Sequence, residues 1–368
     1  MRARRQAVVD WAAWALVQGD DLARLSAPQW EPVIHQARRA DVLARLAVGL
    51  DRAGLLPGLP TGPRQHLQSA LRVAQAQQAE VRREAACIAQ ALAPLGVPVV
   101  LLKGAAYVLG DLPAQQGRLF SDIDILVPRA ALPDVEGALM LAGWMGSHHD
   151  AYDQRYYREW MHELPPMQHL RRGTTLDVHH NLLPLTVRQP PDVASLLARA
   201  RPVAGGPGLQ VLAPTDMVLH SMAHLFHNDD LSHGLRDLSD LDLLLRQGRC
   251  SEGFWAELQA RAAALHLQRP LAYGLWASRQ ILHTPVPDDA LDAALRGAGL
   301  GPGLAAMQWL WQRVLRSPHQ AAALPGRALA DALLYLRAHW LRMPPALLVR
   351  HLGIKAWKRL MASAQAKH

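Results

Sequence analysis

Cysteine is nearly absent. The 368 residues contain two, Cys87 and Cys250. They lie far apart and outside any CxxC pattern, which argues against a disulfide framework or a zinc ribbon. A reducing cytoplasm is the expected setting. Lysine is almost as scarce. Of the 39 basic side chains only Lys103, Lys355, Lys358 and Lys367 are lysines; the rest are arginines. No uncharged run approaches the roughly 18–20 residues that a bilayer-spanning helix needs. The last 28 residues contain no acid, while they hold Arg342, Arg350, Lys355, Lys358, Arg359 and Lys367. With a net charge of +8, this basic tail predicts weak contact with an anionic surface or partner.

Apolar residues are plentiful. Half the chain is hydrophobic, enough for a sizeable core, and the length suits two domains or one domain with helical additions. The opening "MRARRQAVVDWAAWALV" looks at first like a signal peptide. Asp10 interrupts its apolar part and no small-x-small cleavage site follows, so it reads as an amphipathic helix.

Residues 1–94 form a helical region in this reading. "EPVIHQARRADVLARLAVGLDRAG" and "PRQHLQSALRVAQAQQAEVRREAACIAQALAPLG" carry helical apolar spacing, and Gly96 and Pro98 close the second. The pattern then changes. "VPVVLL" is a short β-branched run that leads into Lys103-Gly104 and "AAYVLG", which predicts strand, tight turn, helix. "DIDILV" predicts a second strand stopped by Pro128, and "LPDVEGALMLAGW" a helix between strands. "DQRYYREW", "PMQHLRR" and "TTLDVHH" are expected to supply two or three further antiparallel strands. The Pro- and Gly-rich stretch 201–214 reads as a boundary, and residues 214–368 as a helical region with Thr215 as a cap signal. The expected fold class is α+β, a small mixed-sheet core over 95–200 between two helical regions.

The chemistry gathers in that core. Residues i and i+2 of a strand share a face, so Asp122 and Asp124 point one way while Ile123, Ile125 and Val127 point the other. Two carboxylates on one partly buried face repel unless a cation lies between them. Magnesium takes oxygen ligands, usually one or two carboxylates plus substrate phosphates. In "TTLDVHH" Asp177 alternates with Leu176 and Val178, which puts a third carboxylate on a polar strand face. Three carboxylates leave part of the charge of two magnesium ions for a nucleoside triphosphate to take up, with manganese as an alternative. Lys103 at the glycine turn offers a mobile charge for phosphate, and Gly104 allows close backbone approach. Arg118 and Ser121, just before the strand, are candidates to face the triphosphate, and His179 to contact nucleotide or acceptor.

These motifs, "LLKGAA", "RLFSDIDILV" and "LDVHH", resemble the polymerase-β-type nucleotidyltransferase superfamily. They are most similar to a bacterial family of uncharacterised nucleotidyltransferases. The likeness covers about 98–180, and "LRDLSDLDLLL" extends it more weakly to about 246. The resemblance implies a metal-binding pair, Asp122 and Asp124, and a third carboxylate, Asp177, as general base or metal ligand. It also implies triphosphate binding at Lys103 and Gly104, with an NTP such as ATP as substrate. One position departs from the pattern. Ala105 stands where a second glycine or a serine is usual. The acceptor is left open among protein, RNA, small molecule and peptide. Two alternatives stay beside the enzyme reading: a nucleotide-binding or scaffold module, and a toxin-like enzyme that modifies tRNA.

Two helical patterns complete the reading. His220, His224 and His227 share one helix face near His233. No glutamate sits between them as a zinc protease requires, so they read as a face toward the cleft. Leu235, Leu238, Leu241 and Leu245 mark a buried stripe, and Arg236 and Asp240 are spaced for an i,i+4 ion pair.

Overall fold

The computed structural model describes residues 9–146, 154, 157–158, 160–203, 206 and 208–342. Helix α1 (Trp11–Val17) starts directly after Asp10, whose carboxylate accepts a hydrogen bond from the Ala13 N–H. The acid that interrupts the apolar run is thus a helix cap. The next periodic segment is two helices, α2 (Ala27–Arg39) and α3 (Leu43–Arg52). The chain turns between them where Asp41 adopts φ +56°, a conformation that ends a right-handed helix. Helix α4 (Thr61–Leu92) runs for 32 residues, roughly 48 Å. Gly96, at φ +61°, then turns the chain into the sheet.

The sheet has seven strands: β1 (Val99–Leu102), β2 (Asp122–Leu126), β3 (Trp144–Gly146), β4 (Met167–His169), β5 (Thr175–His179), β6 (Arg201–Pro202) and β7 (Leu209–Val211). Their spatial order is β3-β4-β5-β2-β1-β7-β6. It is a mixed sheet. β2 runs antiparallel to β1 and parallel to β5, and β7 runs parallel to β1. Helix α5 (Lys103–Leu109) follows β1 without a loop, and α6 (Leu132–Leu141) links β2 to β3. Central strands β1 and β2 bury Leu101, Ile123, Ile125 and the adjoining Val127, each worth about 1.5–3 kcal/mol.

Helix α7 (Val193–Arg199) precedes β6. The C-terminal helices are α8 (Pro214–His227), α9 (Gly234–Gly248), α10 (Phe254–Ala264), α11 (Gln268–Leu282), α12 (Asp288–Gly297), α13 (Gly303–Val314) and α14 (Arg327–Arg342). α8 is buried on nearly every side and packs against α9, α10 and α11. One apolar core runs from Ala12 through the sheet to Leu334. The fold is α+β.

Four local expectations change. Within 153–160 the described residues are helical rather than extended, so β3 to β5 are the strands that follow β2. The stretch 201–214 is not a plain linker, because β6 and β7 extend the sheet past β1. Thr215 is not the cap of α8. It lies inside the helix, and its hydroxyl donates to Glu257 Oε1. Asp240 does not pair with Arg236, which turns to Asp237 instead. The basic tail from 343 onward and residues 1–8 lie outside the described residues.

Candidate active site

Register brings the carboxylates together. β2 and β5 pair in parallel with Asp122 opposite Thr175 and Asp124 opposite Asp177. On the other side Leu102, the last residue of β1, pairs with Asp124. The next residue, Lys103, therefore emerges beside that aspartate. It takes φ +43°, a strained conformation for a residue with a Cβ, and its ammonium lies 2.7 Å from Asp124 Oδ1. His179, at the end of β5, places Nε2 3.0 Å from the same oxygen. Ser121 donates its hydroxyl to Asp122 Oδ1 at 3.0 Å. Asp177 is different: its Oδ1 is buried and has no hydrogen-bond partner.

The electrostatics follow from this layout. Burial opposes ionisation of Asp124, yet the Lys103 ammonium and the His179 ring hold its carboxyl well below the usual range. Asp122 is raised by burial and by the charge of Asp124. Asp177 is pushed up to about 7, first by burial and then by the Asp124 and Glu163 charges. Burial alone would lower Lys103, but Asp124 and Asp122 raise it, so it stays charged. Among the described residues neither Asp122 nor Asp177 forms an ion pair, unlike Asp124. The three carboxylates do not converge on one point. Among the described residues the trio close enough to share an ion is His162, Glu163 and His179.

Gly104 is required by a close neighbour of its own. A Cβ there would stand 2.5 Å from an Arg118 guanidinium nitrogen and 2.7 Å from the Phe120 ring. Arg118 is buried; its Nε donates to Asp240 Oδ2 at 2.7 Å, and Arg45 grips the other oxygen of Asp240 at 2.7 Å. This buried triad ties α3, the segment before β2 and α9 into one wall. Burial works against its charge, but Arg118 and Arg45 hold Asp240 below the usual carboxylate range.

A cleft of about 730 Å³ runs over this wall, lined by Lys103, Arg118, Ser121, Asp122, His224 and Arg236 among others. A second recess, of about 580 Å³, opens on the far side of Ser121 and Asp122 and includes Phe120 and Thr174. His179 lies behind Asp124, outside both. The helix α8 histidines do not gather into a metal site among the described residues. His220 is buried and His224 faces the cleft, while His227 bonds the Ala223 carbonyl and His233 pairs with Asp41.

Sequence reasoning missed Glu163, His162 and the Arg45–Asp240 pair. An arginine inside the buried leucine pattern of α3 was the available sign of the last. Glu163 and His162 sit in an irregular segment with no periodicity to place them. Glu163 forms an isolated bridge with His179.

No curated protein and no solved structure gives a match to this chain. A model of the uncharacterised nucleotidyltransferase family matches residues 26–283, which takes in α2 to α11, the whole sheet and every candidate site residue. With that match over most of its length, the chain belongs to the uncharacterised nucleotidyltransferase family.

Proposed function

We propose that this protein is a magnesium-dependent nucleotidyltransferase that moves a nucleoside monophosphate from an NTP to a hydroxyl acceptor. One observation carries the reading. Asp122, Asp124 and Asp177 share a face of two paired strands, and Asp177 keeps a buried oxygen without a partner. These oxygen donors suit a hard divalent cation, which Asp122 and Asp124 would hold together with substrate phosphates, with Asp177 beside them. Bound there, magnesium supplies charge stabilisation for the attacking and leaving oxygens.

The chain's own groups do the rest. Lys103 lines the cleft beside Asp122 and offers its ammonium to the triphosphate. Gly104 and Arg118 form the wall behind it, and Ser121 stands at the rim. Asp177 takes the acceptor proton, a role suited to a carboxyl held near neutrality. The acceptor oxygen bonds to the α-phosphorus, the α–β bridging P–O bond breaks, and pyrophosphate leaves. A cytoplasmic setting suits the two free cysteines.

The test uses the full-length protein with magnesium, each labelled NTP and cell extract. Wild type should label an acceptor, and the Asp122→Asn/Asp124→Asn protein should not. Labelling that survives in the double variant overturns the assignment. A second reading, a nucleotide-binding module without turnover, draws on the Lys103–Asp124 ion pair, by which Asp124 is already neutralised. Tight NTP binding with no turnover on any acceptor would favour it.

A further inference from the structure

Behind Asp124 lies a group of side chains that the nucleotidyl-transfer reading leaves unused. His179 Nε2 faces Asp124 Oδ1 at 3.0 Å. An ionised carboxylate only accepts, so Nε2 carries the hydrogen and Nδ1 is the nitrogen left to bind an ion. That Nδ1 is buried and makes no hydrogen bond, although Glu163 Oε2 is 3.3 Å away. His162 Nδ1 is also buried without a partner. The His162 Nε2 lies 3.9 Å from the same Glu163 oxygen. One ligand atom from each of His162, Glu163 and His179 falls within 4.8 Å of the others.

We propose that His162, Glu163 and His179 form a binding site for a transition-metal ion of the zinc class, separate from the aspartate face. The spacing supports this. Two N or O ligands about 2.0–2.1 Å from a tetrahedral ion lie about 3.3 Å apart, which is the His179–Glu163 separation. The donor set is two imidazoles and one carboxylate, which selects zinc, cobalt or iron over magnesium. The scaffold is already in place. The His162 carbonyl accepts the His180 N–H at 2.8 Å, and the Leu164 N–H donates to the Val178 carbonyl at 2.8 Å. These bonds hold 162–164 alongside the end of β5. The Asp124–His179 hydrogen bond is the outer partner that fixes the tautomer and orientation of a metal-binding histidine. Side-chain exposures of 16 % for His162 and 18 % for Glu163 let solvent reach the group, so water can supply a fourth ligand. An ion there binds His179 through Nδ1 and steadies the ring against Asp124.

The site is independent of the nucleotidyl-transfer reading and is tested without turnover. The full-length protein, stripped with chelator, is titrated with Co²⁺ and separately with Zn²⁺. One equivalent per chain should bind, with two imidazoles in the X-ray absorption spectrum of the bound ion. Glu163→Gln and His162→Gln should each weaken binding more than about tenfold, while Asp122→Asn should leave it unchanged. Absence of stoichiometric binding overturns the site. So does an oxygen-only shell, or loss of binding in Asp122→Asn with retention in His162→Gln. Should the histidine variant fail to fold, the wild-type spectrum decides alone.

Discussion

Lys103 is the residue on which the proposed active face turns. It was legible as a lone lysine among arginines, placed at a glycine turn. Its partner was not, because the pairing of β1 with β2 sets Lys103 beside Asp124 and no local pattern encodes that register. Lys103→Met should lower kcat/KM by about 10²–10³, as measured by NMP transfer. Gly104 shows a similar gap. Sequence reasoning gave it a phosphate to approach, whereas its missing Cβ leaves room for Arg118 and Phe120. Gly117 is the stricter glycine. It holds φ +64°, and a Cβ would come within 2.4 Å of the Arg45 backbone nitrogen. Gly117→Ala should cost about 1–3 kcal/mol through its backbone and a similar amount through overpacking, read as a lower denaturant midpoint.

Among elements, the Arg45–Asp240–Arg118 triad joins α3, the approach to β2 and α9 behind the cleft. Each partner lies in a different part of the chain, so the leucine stripe of α9 could show where Asp240 sits but not what it meets. Removing one member strands buried charge on the others. Asp240→Asn should destabilise the fold by about 3–5 kcal/mol, measured by urea unfolding. It should also shift the Arg118 wall of the cleft and raise KM for the NTP. In β2 and β5 alternation fixes which face Asp122, Asp124 and Asp177 occupy, as the sequence predicts, but the antiparallel pairing expected of "TTLDVHH" holds only toward β4. What alternation leaves open is direction and neighbour, and the parallel pairing puts Asp124 directly beside Asp177.

For the whole molecule, buried neutral histidines give the fold an acid limit. Burial lowers His180 to about 4, His220 to about 3 and His227 to about 4. His162 and His224 are lowered for the same reason. In the unfolded chain each would protonate near 6.5, so between about 6.5 and 4 the unfolded state binds more protons. Stability is then full above about 6.5 and falls as the pH drops through that window. Asp177, raised to about 7, contributes with the opposite sign, as do Asp122, Asp331 and His179, which are also raised; the five lowered histidines outnumber these four groups. A melting temperature followed from pH 8 to pH 4 should decline below about 6.5; a flat profile would show that these rings are not held neutral.

Composition and periodicity alone determined the helical ends, the strand identity of "VVLL", "DIDIL" and "TLDVH", and the shared face of the two neighbouring aspartates. These are short-range properties, set by side-chain alternation and backbone propensity within a few residues. Only the tertiary structure decided which strand lies beside which and what each charged group faces. It drew 201–211 into the sheet, set Lys103 and His179 on opposite sides of Asp124, and brought Glu163 to His179. Such contacts join residues far apart in the chain, and burial in a common core, not local pattern, selects them.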